Sequence, residues 1–518
     1  MRKITLSCLF CLVLSLFAFS VFAAEPDLLD ELDSVMESGK KEGAKREALK
    51  PADEKDLPGQ IGRHFNAELR LRGHHFFETA PDLLIDTDTH ANVGEARLNC
   101  STWMGKDFWS LHVAGWLEAG TQDNTYKGVS PVGRDTDRHR RYAELNEIYF
   151  ILSSENVDLT SGKKIFKNGI STIYSPANRY RSLDLNDPLD FKDFGLWQAT
   201  LDYYAGDTTY TAAVLPVFQP LKVPDIRSPW MAGSFAWDVP DFDLKFGKAQ
   251  PPPFNFNIPP GSLKELIELL YYFWDLFFNE PQFSNLISNR TVTVKQELPG
   301  SSPEDYGWFG RVKTSLGLWD VFVSAYHGPG FYPVIKVEDR GNVVAIIMEN
   351  PNVFNLAAGF STTWKDFEFH GEALYNHTDH HKDDNYINYV GGVTYTDRDF
   401  ARKLHLDRID LTVEYAGEVI TSDQDRRGYV INSRYARIGR DDIFASARIG
   451  VNDDITLHYL ADIVFWNRSR FHRVGASYRI QPGLVLGLDF EFFDGDRLSY
   501  FGRWRNNDRV ITTLKWSF

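Results

Sequence analysis

The C-terminal segment places the strongest constraint on what this chain can fold into. From Val510 to Phe518, apolar and polar residues alternate, and the sequence stops on an aromatic side chain. Because side chains alternate across a β-strand, one face of this strand is apolar and the other polar. A closing strand of a membrane barrel, with one face toward lipid and one toward a wet lumen, has this pattern. An amphipathic strand of a soluble sheet has it too, so the rest of the sequence decides.

The first 23 residues have the features of a secretory signal peptide. Arg2 and Lys3 precede an apolar run, and cleavage is expected after Ala23. Its removal leaves Cys100 as the only cysteine, so no disulfide within the chain is expected. The sequence carries 56 Lys and Arg against 71 Asp and Glu, a net charge of −15. Such an excess of negative charge argues against nucleic acid as a partner.

The composition of the exported part is unusual for a membrane protein. Aromatic residues make up 14% of the chain, yet no uncharged apolar run of about twenty residues follows the signal. No membrane-spanning helix is therefore expected. A transmembrane barrel reconciles the two observations, because only half of each strand meets lipid while the lumen and loops are polar. A soluble periplasmic protein of two or three domains is the competing interpretation.

Alternation with period two starts near Ile61 and recurs to the end of the chain. Segments of this kind predict an all-β, closed antiparallel β-barrel of about eighteen strands, with the segment at 157–167 the weakest because of its two lysines. The predicted outward-facing residues include Leu69, Leu111, Leu411 and Leu457, and their predicted inward-facing neighbours are Arg70, His112, Asp410 and His458.

The connections between the predicted strands are of two kinds that alternate. Short ones such as Asn452-Asp453 are expected on the periplasmic side, and long polar ones such as 121–140, 168–192 and 218–305 outside. Aromatic residues cluster beside the short turns, where an interfacial girdle is expected. The predicted girdle consists of Trp103, Phe108, Trp109, Trp319, Trp364, Phe367, Trp516 and Phe518.

The insertion at 218–305 does not show the period-two alternation of apolar and polar residues. Ser262 and Glu265 have capping-box spacing and Pro281 follows, which predicts a helix at 262–279. This helix could pack against other loops or the barrel rim, constrict the lumen, or lie in the membrane interface. The predicted organisation is a signal peptide at 1–23, a periplasmic tail at 24–60 and a barrel at 61–518.

The predicted lumen face carries charges of both signs. Planar guanidinium groups recognise carboxylates and phosphates, so a wall of arginines could guide an anionic solute. A wall of mutually compensating ion pairs is the alternative, and both imply a hydrophilic passage. The predicted solute-pathway residues are Arg70, Arg72, Arg97, Arg311, Lys313, Arg448, Arg473, Arg479, Glu368 and Glu372.

Catalysis is not expected. The sequence has no nucleophile elbow, no phosphate-binding glycine loop and no zinc-helix motif. The pair Glu368 and Glu372 could suggest glycoside hydrolysis, but paired carboxylates are common on wet walls. The loop from His377 to Asp384 could bind a divalent cation, although a solvated loop is the simpler interpretation. No catalytic residue, cofactor or metal site is predicted.

The chain resembles the porin-like outer-membrane proteins of the alginate-export family. The resemblance is carried by the signal, the strand number, the strand Leu145–Tyr149, the run Ser161–Lys164 and the C-terminal aromatic residue. Lysines stand where relatives tend to have an arginine-glycine-arginine-glutamine run. The resemblance implies a passive channel for a polysaccharide or other anionic solute, without an energy-coupling plug domain.

The expected protein is therefore a monomeric porin of the bacterial outer membrane that passes hydrophilic, including anionic, solutes by diffusion or export. Its expected partners are outer-membrane lipid, the solute, and the barrel-assembly machinery through the strand that ends at Phe518. A soluble β-rich carbohydrate-binding protein or enzyme, and a barrel enzyme embedded in the membrane, are the alternatives.

Overall fold

The computed structural model describes residues 61–78, 91–122, 125–137, 139–222, 230, 244–245, 291–339, 343–424, 429, 439–466, 468–495 and 499–518. The predicted signal peptide, periplasmic tail and helix at 262–279 lie outside the described residues.

β-strands make up most of the described residues. In chain order they are β1 (Asn66–Phe76), β2 (Asn92–Lys106), β3 (Trp109–Gly120), β4 (Ala143–Ser153), β5 (Val157–Lys164), β6 (Ser182–Asp184), β7 (Lys192–Phe194), β8 (Leu196–Ala205), β9 (Thr208–Leu215), β10 (Leu244–Lys245), β11 (Thr291–Glu297), β12 (Gly307–Leu316), β13 (Trp319–Pro329), β14 (Val334–Asp339), β15 (Val343–Glu349), β16 (Asn352–Trp364), β17 (Phe367–Thr378), β18 (Asn385–Asp397), β19 (Arg408–Ser422), β20 (Asp441–Gly450), β21 (Ile455–Val464), β22 (Ser469–Gln481), β23 (Leu484–Asp494) and β24 (Arg509–Ser517). A short helix, α1, spans Asp399–Lys403, and single 3-10 turns lie at Pro176–Asn178, Pro303–Asp305, Asp379–His381 and Gly502–Trp504. None of the helices in the described ranges has the length and apolar character needed to cross a membrane.

Eighteen strands form one closed antiparallel barrel. Each barrel strand pairs with the next one along the chain, and β24 pairs back onto β1. At this seam the Phe518 N–H donates to the Ala67 carbonyl at 2.9 Å, and the Ala67 N–H donates to the Phe518 carbonyl at 3.0 Å. The predicted barrel of about eighteen strands is confirmed, including the uncertain segment at 157–167, which contains β5. Strands β10, β11, β14 and β15 form a separate sheet, and β6 and β7 a small hairpin.

The barrel is apolar outside and polar inside, the reverse of a soluble protein. Leu411 and Leu457 are 40% and 42% exposed, whereas the neighbouring Asp410 and His458 are each only 7% exposed. Closure pairs the backbone groups of every strand, so the wall has no open edge. An apolar outer face on a closed sheet is suited to lipid, as the alternation predicted.

The predicted aromatic girdle is present, with one exception. Trp319, Trp364 and Trp516 are 48%, 59% and 47% exposed on the outer face beside the short turns. The prediction for Trp103 was wrong. Its ring stacks on His112 inside the barrel, with 6.2 Å between ring centroids. The reason is parity, because the odd-numbered residues of β2 face the interior from Glu95 onward.

Candidate functional site

The segment that connects β5 to β8, residues 165–195, crosses the barrel interior, and we call it the strap. Its apolar residues are among the most buried of those that the structure describes: Ile173 is 1% exposed, and Leu183 and Leu185 are 0% exposed. The sequence pattern predicted a long external loop at 168–192, and this prediction was wrong. The apolar side chains of the segment are better buried inside the barrel than exposed to water, which draws the connection inward.

On one side of the barrel, two wall carboxylates hold the strap backbone. Glu414 on β19 accepts hydrogen bonds from the N–H groups of Thr172 at 2.8 Å, Ile173 at 2.9 Å and Tyr174 at 2.8 Å. His370 on β17 contacts the same carboxylate at 2.8 Å. Consecutive N–H groups that converge on one anion form a nest, and Glu414 fills it.

Glu372 on β17 makes the second attachment on that side. It accepts hydrogen bonds from the Ser175 hydroxyl at 2.8 Å and the N–H groups of Ser171 at 2.6 Å and Ala177 at 3.3 Å, as well as from the Ile170 N–H. Both oxygens of the residue that the sequence suggested as half of a catalytic pair thus accept hydrogen bonds from the strap. Its role here is structural.

On the opposite side, arginines of the wall bind carboxylates of the strap. Arg70 and Arg72 on β1 both bond Asp190. Arg509 on β24 is 1% exposed and donates to Asp187 at 2.9 Å and to Glu491 on β23 at 2.6 Å.

Two further cations complete this side. Arg473 on β22 donates to the Leu189 carbonyl at 2.9 Å, and Lys192 of the strap bonds Glu118 on β3. The strap is therefore tied to the wall on both sides of the lumen.

These ion pairs set the charge state of the strap. Burial alone would raise the pKa of Asp187, but Arg509 and Arg72 outweigh it and hold the pKa below its ordinary value. The pKa of Asp190 is lowered in the same way, with Arg70 and Arg72 overcoming the effect of burial. Both carboxylates therefore stay ionised. Their ion pairs with the wall arginines persist when the pH is lowered to the ordinary pKa of aspartate.

Between the two attachments the interior is an apolar core rather than water. Strap residues Ile173, Leu183 and Leu185 pack in one cluster with Phe444 of the wall and Trp504 of the β23–β24 connection. The expectation of a polar lumen throughout holds for the wall strands but not for this part of the interior. Much of this core consists of apolar side chains from the strap and from other connections between strands. The alternation within the strands therefore could not predict it.

The predicted pathway residues all belong to interior-facing positions of barrel strands, but they have different surroundings. Arg70, Arg72, Arg473 and Glu372 contact the strap, as described above.

The other predicted pathway residues have different neighbours. Arg97 lies 4.3 Å over the Trp116 ring and 3.9 Å from Glu118. Arg448 lies opposite Asp410 and His458, and Lys313 opposite Phe322. Glu368 is half-buried, and Arg479 is exposed near a short turn.

Arg311 on β12 forms no ion pair with a carboxylate in the part of the chain that the structure describes. It lies opposite Ser324 and Thr211 on the neighbouring strands, and the described residues offer its buried Nε atom no hydrogen-bond partner. Compensating ion pairs, the alternative to an arginine wall, thus describe the side of the barrel where β24 meets β1. On β12, by contrast, Arg311 is a cation without a carboxylate partner among the described residues.

Sequence reasoning missed Arg509 as an interior residue. It shares the parity of Lys515 on β24, so continuing the alternation by three steps would have placed it inside. The strap carboxylates Asp187 and Asp190 carried no such signal, because their partners are more than a hundred residues away. The loop from His377 to Asp384 does not gather ligands: among the described residues, no three His, Cys, Asp or Glu side chains converge on a metal position.

Comparison with known proteins gives a fold likeness only. No family model matches the sequence, and no curated protein matches it. Solved structures with a similar fold include OccK11 (OpdR) of Pseudomonas aeruginosa, at 9% identity and a TM-score of 0.45, covering 88% of this chain and 95% of that one. A BenF-like porin from Pseudomonas fluorescens Pf-5 has 9% identity and a TM-score of 0.45, with 88% and 97% covered.

A third, OpdO of Pseudomonas aeruginosa, has 10% identity and a TM-score of 0.43, with 89% of this chain and 98% of that one covered. The architecture of the present chain follows from its own strand pairing, which closes through β1 and β24.

Proposed function

We propose that this protein is a porin of the bacterial outer membrane, through which hydrophilic solutes diffuse. The observation that supports this most strongly is the distribution of side chains on a closed sheet. Leu411 and Leu457 lie on the outer face, while Asp410 and His458 line the interior. Barrels of this construction span membranes, because every strand is paired and only the outer face needs to be apolar. A soluble carbohydrate-binding protein would lose stability by exposing that face to water.

The proposed solute is anionic, with a polysaccharide-type uronate among the candidates. Support comes from the way in which this interior already binds carboxylates, since Asp187 and Asp190 are held by wall arginines. Arg311 and Lys313 on β12 add positive charge close to the point where Asn168 of the strap donates to the Ser324 hydroxyl, at 2.8 Å. Because the strap crosses the lumen, passage of a polymer strand requires the strap to move. The proposed functional unit is a monomer, because one chain closes a complete barrel by itself.

The selectivity of the channel tests this proposal. Purified protein in a planar bilayer should conduct ions and favour anions. Replacing Arg311 by alanine should lower the anion-to-cation permeability ratio by about two- to fivefold, because one partly solvated charge contributes about 0.5–1 kcal/mol. The measurement is the reversal potential in a salt gradient.

Arg470→Ala is the matched control. Arg470 is an arginine of similar strand context, but it is 57% exposed on the outer face, where it pairs with Asp494. This variant should keep the permeability ratio of the unaltered protein. Absence of any conductance would favour the soluble or enzymatic alternatives, and an unchanged ratio in Arg311→Ala would refute the anion pathway along β12.

A further inference from the structure

Three cations lie directly opposite one another on the interior wall. Arg70 on β1 faces Lys515 on β24 on one side and Arg97 on β2 on the other, in one row across the strands where the barrel closes. Carboxylates flank the ends of the row, with Glu68 at 3.2 Å from Lys515 and Glu118 at 3.9 Å from Arg97. Like charges directly opposite each other destabilise a sheet. This row, which we call the cation row, is therefore suited to an anion that does not belong to the wall.

The strap brings a pair of carboxylates to this part of the wall. Residues 187–190 form a β-turn, in which the Asp190 N–H donates to the Asp187 carbonyl at 3.1 Å. The Cα atoms of the first and fourth residues of a β-turn lie within about 7 Å of each other. This segment, which we call the acidic turn, thus presents two carboxylates at short separation.

Arginines of the wall bind both carboxylates of the acidic turn. Arg70 and Arg72 donate to the same oxygen of Asp190, and Arg509 donates to Asp187. Two guanidinium groups on one carboxylate oxygen carry more positive charge than that carboxylate neutralises. Guanidinium groups recognise any carboxylate of suitable position, whether it belongs to the protein or to a solute.

The wall carboxylates nearby are engaged with other cations. Glu491 on β23 is bonded by both Arg473 and Arg509, and Asp489 contacts His458. Glu95, which lies opposite Arg72 on β2, is bonded by Arg140 at 2.5 Å. The acidic turn therefore supplies much of the negative charge that compensates Arg70 and Arg72.

We propose that Arg70, Arg72 and Arg509 form a binding site for an anion with two carboxylates, such as a short uronate oligomer, and that the acidic turn is a built-in competitor for this site. The inference rests on the proposed function, because it assigns the place at which the anionic solute binds. A site that an internal competitor occupies binds an external ligand more weakly, in proportion to the fraction of molecules in which the site is free.

The exposure of the cations gives the order of the exchange. The side chains of Lys515 and Arg70 are 27% and 14% exposed, whereas those of Arg72 and Arg509 are 8% and 1% exposed. A solute carboxylate therefore meets the cation row first, and then takes the place of Asp190 on Arg70 and Arg72. A second carboxylate of the same solute takes the place of the other turn carboxylate on Arg509.

The exchange replaces one carboxylate by another, so each arginine keeps a partner. Removal of one member of a buried ion pair without replacement would leave an uncompensated charge. An uncharged solute cannot make this exchange, and the strap stays in place. Binding of the anion and displacement of the strap are thus one coupled step.

The experiment is calorimetric titration of the full-length protein in detergent with digalacturonate. Asp190→Asn keeps the shape of the side chain and removes the competing charge, so it should bind digalacturonate at least tenfold more tightly than the unaltered protein. Adding Arg70→Gln and Arg72→Gln to this variant should abolish the gain. The uncharged disaccharide galactobiose should not bind any of these proteins. Asp187→Asn should also raise the affinity, and it serves as the second variant should Asp190→Asn fail to fold.

Asp193→Asn is the matched control. Asp193 is another carboxylate of the strap, but it faces Arg181 at 3.3 Å and Lys167 at 3.9 Å within the strap itself. This variant should keep the affinity of the unaltered protein within twofold. An equal gain in Asp193→Asn and Asp190→Asn, a gain that survives the loss of both arginines, or no binding by any variant would overturn the proposal. Because binding is measured without transport, a protein that favours anions in the bilayer but shows no gain in Asp190→Asn refutes the competition alone. A protein that does not conduct refutes the proposed function instead.

Discussion

Single-channel conductance will increase at least twofold when Glu414 is replaced by alanine. Its carboxylate is the acceptor for three consecutive strap N–H groups, and its side chain is 0% exposed. Each buried donor left without an acceptor costs about 1–3 kcal/mol, so this part of the strap loses several kcal/mol of attachment. Of the two carboxylate attachments on that side, only Glu372 then remains, and the segment of the strap from Thr172 to Tyr174 can move out of the lumen. The measurement is conductance of the reconstituted protein at fixed salt.

Glu368→Ala is the control for this prediction. Glu368 also faces the interior, on β17 beside His370, but it is only half-buried and makes no hydrogen bond to the strap in the described residues. Its removal should leave the conductance close to that of the unaltered protein. Equal conductance in Glu414→Ala and the unaltered protein would show that the strap does not limit the passage.

The largest loss of stability is expected for Arg509→Met. Arg509 is 1% exposed and bonds Asp187 and Glu491, whose side chains are 6% and 0% exposed. Removing one partner of a buried ion pair leaves an uncompensated charge and typically costs about 3–5 kcal/mol. Methionine keeps much of the side-chain volume, so the effect is electrostatic rather than a cavity. Denaturant unfolding in detergent micelles or vesicles measures it.

Two companion variants make this result specific. Adding Asp187→Asn to Arg509→Met removes one of the charges that lost its partner and should restore part of the stability. Arg470→Met breaks an exposed ion pair with Asp494 and should cost less than about 1 kcal/mol. A loss of similar size in Arg509→Met and Arg470→Met would contradict a buried charge network at the seam.

The wall of this protein could be predicted from the sequence because a barrel strand carries its own signal. The alternation of Leu411 with Asp410, or of Leu457 with His458, reports the two faces of the sheet locally. Short and long connections alternate for the same topological reason. The pairing of β24 with β1 follows from closure.

The strap could not be predicted because the forces that draw it inward are not local. Its apolar residues Ile173, Leu183 and Leu185 have no strand or helix period, and polar residues between them give the composition of an external loop. Its carboxylates find arginines on strands far along the chain. Trp103 was misplaced because its position beside a short turn outweighed the parity of β2.

The central claim is a closed cylinder with an apolar outside and a polar inside, and accessibility along one strand tests it most directly. Nitroxide labels are placed singly at residues 474–479 of β22, in a chain without native cysteines reconstituted in lipid. Val474 and Tyr478, which are 45% and 48% exposed on the outer face, should be relaxed by oxygen dissolved in the bilayer. Ser477 and Arg479 should instead be relaxed by a water-soluble nickel complex. Equal accessibility at all six positions, or the reverse alternation, would contradict the barrel.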